Sequence, residues 1–99
     1  MPFGESKAER LEWKKWLQTN RDFLVVDCGV PVHVVDDKNQ WWHFLGHGYV
    51  PECFNIDMLS KEQLQNLKQF VDREYGEDFG VTVGKQIGLI LRKQQETRP

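Results

Sequence analysis

The chain has 99 residues, 39% hydrophobic and 28% charged, which suits one globular domain with a single modest core rather than a disordered chain. Thirteen Lys and Arg against 15 Asp and Glu leave a net charge of -2, without the basic excess of a protein held mainly by phosphate contacts. No uncharged stretch approaches the length of a membrane span, the first ten residues lack an apolar signal core, and two cysteines make no disulfide framework; a cytoplasmic setting with reduced thiols is the expectation.

Ser6-Lys7-Ala8-Glu9 has the capping-box pattern, so a first helix is predicted from there. Trp13, Trp16 and Leu17 share one face at helical spacing, with Leu11 off that stripe, and Thr19 to Asp22 ends the helix. Phe23-Leu24-Val25-Val26 is a β-favouring run and predicts a strand covered on both faces. After a turn at Cys28 to Pro31, Val32–Val35 and Gln40–Leu45 flank Asp36-Asp37-Lys38-Asn39 and predict a hairpin. Centred on Asp37-Lys38, that hairpin sets Val34 opposite Trp41 and His33 opposite Trp42. Residues Gly46 to Met58 read as an irregular segment with a short strand at Cys53 to Ile56, and a loop of that length in a small domain is often functional.

The second helix has the clearest signature. Ser60 with Gln63 forms a capping box, Leu64, Leu67, Phe70 and Val71 supply a buried stripe, and Gly76 suits the residue after its end. Phe79 to Arg92 predicts a second hairpin turning at Gly84-Lys85, with a final helix from Lys85 as the competing reading. The expected fold class is therefore α+β: a mainly antiparallel sheet of about five strands with two packed helices, in the order α-β-β-β-α-β-β, forming one domain over 1–99 with frayed ends at about 1–4 and 94–99.

All five cysteine and histidine side chains fall between Cys28 and Cys53, in the order Cys28, His33, His43, His47, Cys53. These are zinc-type ligands, yet no Cys-x-x-Cys pair is present and the hairpin register separates His33 from His43. Asp27 beside Cys28 and Glu52 beside Cys53 disfavour a thiolate, so a cysteine nucleophile lacks support. Asp36-Asp37 and Glu77-Asp78 read as solvated turn acids rather than an acid–base pair.

Trp41-Trp42-His43-Phe44, followed by Tyr49, Pro51 and Phe54, is the most suggestive feature, because neighbouring strand residues face opposite ways and one tryptophan must leave the core. Lys38 is the one lysine or arginine between Val32 and Met58, which argues against stacking on nucleic acid. The expectation is a non-enzymatic interaction module without cofactor, holding a protein partner or another copy of itself through Trp42, Phe44, His47 and Tyr49. The alternative is a zinc or transition-metal protein using Cys28, His33, His43, His47 and Cys53.

Overall fold

In the computed structural model, which describes residues 7–76 and 82–96, the first helix α1 spans Lys7–Asp22, with Glu9 in its first turn and Arg21 in its last, both matched to the helix dipole. Trp13, Trp16 and Leu17 turn inward and pack on the core, while Leu11 is exposed. Ser6 of the capping box lies outside the described residues.

The strand predicted at Phe23–Val26 is not formed. The helix widens instead into a π-helical turn, Phe23–Asp27, closed by the Cys28 N–H donating to the Phe23 carbonyl at 3.1 Å. Leu24 is fully buried and Val26 is 72% exposed, so the apolar run is not covered on both faces.

The first hairpin is also overturned. Val32–Val35 is a single turn of helix, α2, and Lys38–His47 is a helix, α3. The acidic segment read as a hairpin turn is a helix start: the Asp37 carboxylate accepts from the N–H groups of Asn39 at 3.0 Å and Gln40 at 3.3 Å. Asp36 pairs with Arg21 at 2.8 Å, tying the end of α2 to the end of α1. Trp41, Phe44 and Leu45 are buried at helical spacing, so the cross-strand pairs Val34/Trp41 and His33/Trp42 do not exist. Gly48 closes α3 in the left-handed conformation, φ 81°, with its N–H donating to the Phe44 carbonyl.

Two short strands follow, β1 (Tyr49–Val50) and β2 (Phe54–Asn55), paired antiparallel with Tyr49 opposite Asn55 and Val50 opposite Phe54. β2 lies inside the strand expected at Cys53–Ile56, but it belongs to a two-stranded ladder rather than a five-stranded sheet. A 3-10 turn, Ile56–Met58, leads to α4, Lys61–Tyr75.

Helix α4 matches its sequence signature throughout. The Ser60 hydroxyl accepts from Gln63 N–H at 3.1 Å and the Gln63 side chain accepts from Ser60 N–H at 2.9 Å. Leu64, Leu67, Phe70 and Val71 are buried, and Gly76 has φ 74°. The second hairpin is replaced by α5, Thr82–Glu96, the helix that competed with it; Phe79 to Val81 lie outside the described residues. Val83 and Ile87 are fully buried one turn apart, whereas Lys85, Leu89 and Arg92 face out.

The glycines that argued for a turn serve helix packing instead. A Cβ on Gly88 would lie 3.4 Å from the Lys68 side chain, and one on Gly84 3.3 Å from that of Asp72, so α5 seats closely on α4 at these points. The described residues thus form five α-helices around one core, with a two-stranded ladder at the end of α3. No described helix is long and apolar enough to cross a membrane.

Candidate functional site

Because α3 is a helix, Trp41 and Trp42 diverge by about 100° about its axis, not by the half-turn of a strand. Trp41 goes into the core and Trp42 goes to its edge, 45% exposed. There Trp42 meets Tyr75, the last residue of α4, in an edge-to-face pair with ring centres 5.6 Å apart. Trp13 and Trp16 of α1 stack at 4.7 Å on the other side of the same groove. The groove holds about 330 Å³ and is completed by Glu9 and Glu12 of α1, Lys38 of α3 and Glu74 of α4.

Its walls are anchored from behind. Trp16 packs against Trp41 at 5.6 Å and edge-on against Phe70 at 6.0 Å. The buried Trp41 donates its indole N–H to the Tyr75 hydroxyl at 3.1 Å, which fixes the tyrosine ring at the mouth. Burial raises the Tyr75 phenol above its ordinary pKa, the Trp41 hydrogen bond opposing this, so it stays neutral at pH 7. Four aromatic rings from three helices therefore make one preformed surface. Among the described residues, neither sulfur nor imidazole lines it.

The four expected contact residues do not come together. Phe44 is fully buried between Trp41 and Phe54, at 5.9 and 5.2 Å, and so cannot reach a partner. His47 and the 42% exposed Tyr49 sit apart from Trp42, around a shallow depression of about 410 Å³ shared with Gln86 and Leu89 of α5. His43 and His47, one turn apart on α3, bring their ring centres within 4.4 Å, and Tyr49 lies 5.8 Å from His43. The sequence does not mark Trp13, Trp16 and Tyr75 as contacts. The spacing of Trp13 and Trp16 pointed inward and was correct, but a helix stripe at the rim of a small core is only half covered.

The five metal-type residues do not converge either. Cys28 is buried, His33 is exposed on α2, and Cys53 is exposed between β1 and β2. Among the described residues no group of three or more His, Cys, Asp and Glu side chains is placed to hold a metal ion. Burial, helped by the neighbouring Asp27, pushes the Cys28 thiol up to about 12, which makes it a poor nucleophile at neutral pH. The acidic pair Asp36-Asp37 is occupied by the Arg21 ion pair and the α3 cap, which is structural work.

Comparison with protein-family models, with curated proteins and with solved structures gives no match.

Proposed function

We propose that the protein is a non-enzymatic interaction module that holds a protein partner in the groove between α1, α3 and the end of α4, with Trp42 as its anchor. The observation that carries this reading is the convergence of Trp13, Trp16, Trp42 and Tyr75 on one open surface. Tryptophan and tyrosine supply large contact area with few rotatable bonds, and they dominate the energetics of protein interfaces. The groove is preformed, because the Trp41–Tyr75 hydrogen bond and the Trp16 packing hold its walls before anything binds. A cytoplasmic setting goes with this reading, since Cys28 and Cys53 are both unpaired thiols.

The test is a random-peptide library panned on the wild-type protein, followed by titration of the recovered peptides against Trp42→Ser and Tyr49→Ser. Loss of the anchor should weaken binding by about tenfold or more, the scale of an interface hot spot. Tyr49→Ser, on the separate depression, should bind as the wild type does. Peptides that bind Trp42→Ser equally well, or a Trp42→Ser variant that unfolds, would defeat the proposal.

A further inference from the structure

We infer that the groove takes a cationic side chain, an arginine or lysine carried on a basic segment of the partner. The inference rests on the reading of the groove as a partner site and names the chemistry of what enters it. Among the described residues, three carboxylates, Glu9, Glu12 and Glu74, stand at the groove against a single cation, Lys38. Glu12 and Glu74 are exposed and make no ion pair among the described residues. They come from different helices, α1 and α4, so the negative charge flanks the aromatic walls from two sides.

This pairing selects among occupants. An apolar segment could cover the rings, but it would strip water from two carboxylates and give them nothing in return. An acidic segment would meet like charge. A guanidinium or ammonium group satisfies both features: it is attracted to the faces of tryptophan and tyrosine rings, and its N–H groups reach the carboxylates. The edge-to-face geometry of Trp42 and Tyr75, with planes at 65°, leaves the two rings uncovered by mutual stacking. Arginine suits the site better than lysine, because its planar fork can stack on a ring and bond a carboxylate at once. Electrostatic attraction of this kind weakens with salt.

The experiment follows the indole N–H signals of the four tryptophans by NMR during titration with three capped peptides of equal length, alternating Arg-Ser, Glu-Ser and Leu-Ser. The Arg-Ser peptide should shift the Trp13 and Trp42 signals, and that of buried Trp41 less, through its bond to the Tyr75 hydroxyl. Its affinity should fall about tenfold in the double variant Glu12→Gln/Glu74→Gln and fall again as salt is raised. Because both glutamates are on the surface, the double variant should keep its helical circular dichroism, and Trp42→Ala provides a second check on the ring contact. Equal shifts with Leu-Ser, unchanged by the double variant, would overturn the cationic assignment while leaving the groove as a partner site. Failure of the Arg-Ser peptide to move either indole signal would overturn it as well. Failure of the groove reading itself shows separately, as panned peptides that ignore Trp42→Ser.

Discussion

The adjacent tryptophans Trp41 and Trp42 make an internal experiment on the fold. Trp41 is fully buried, packs against Trp16, Phe44 and Phe70 with ring centres 5.6, 5.9 and 6.5 Å away, and donates a hydrogen bond to Tyr75. Trp41→Ala removes that ring and leaves a cavity that a packed aromatic cluster fills poorly, at a cost of about 3–5 kcal/mol. The Tyr75 hydroxyl is only half-buried, so water can replace its lost donor and little more is added. Trp42 is 45% exposed, so Trp42→Ala forfeits roughly half the burial of a tryptophan plus its edge contact, about 2 kcal/mol in all. Urea unfolding followed by circular dichroism should therefore separate the two variants by about 2 kcal/mol, which at a slope near 1.5 kcal/mol/M is a gap of about 1.3 M between midpoints. A domain of this size is stable by about 5–15 kcal/mol, so Trp41→Ala should fold but stand near its limit. Midpoints within about 0.5 M of each other, or a larger loss for Trp42, would refute the burial of Trp41 and the rim position of Trp42.

Three further outcomes test the same structure elsewhere. Gly48→Ala should destabilise by about 1–2 kcal/mol, because Gly48 is left-handed at φ 81° and an added Cβ would run into the Gln86 side chain; an unchanged urea midpoint would contradict that geometry. At pH 8 a thiol reagent should modify Cys53 rapidly and Cys28 only on unfolding. Since Cys28 holds its proton up to about 12 when folded but releases it near 9 when unfolded, stability is intact below pH 9 and should fall across that window by up to about 1.4 kcal/mol per pH unit. Other groups titrate there too, so the measured quantity is the slope difference from Cys28→Ala; parallel pH profiles for the two proteins would count against a buried thiol.

Helix α4 could be read from the chain because its signals are local: Ser60 and Gln63 satisfy each other's backbone, and the apolar stripe recurs every three to four residues. The same holds for α1, whose inward face at Trp13, Trp16 and Leu17 follows from spacing alone. The helical segments with strand-like sequences carry β-branched and aromatic residues whose intrinsic preference is worth only tenths of a kcal/mol per residue. Tertiary contacts overrode that preference. Valines at 34 and 35 and rings at 41 and 44 each gain far more by entering the shared core than their helix propensity costs. Asp37 signals a turn and a helix cap with the same side chain, and only the chain that follows decides between them. Gly84 and Gly88 likewise look like breakers until α4 is seen lying against them.

The candidate site divides in the same way. Composition located the aromatic concentration, but the expectation that one of two neighbouring tryptophans must leave the core came from strand alternation; a helix can bury neighbours, as it does Phe44 and Leu45, so the exposure of Trp42 is set by packing. Which one leaves, and what it meets, depends on helix packing: Trp13, Trp42 and Tyr75 are distant in sequence and share a surface only because α1, α3 and α4 pack around Trp41 and Phe70. Local patterns are set by bonds within a turn or two of chain and are visible residue by residue. A groove is a relation between elements, and its shape and charge exist only once the core has fixed where those elements lie.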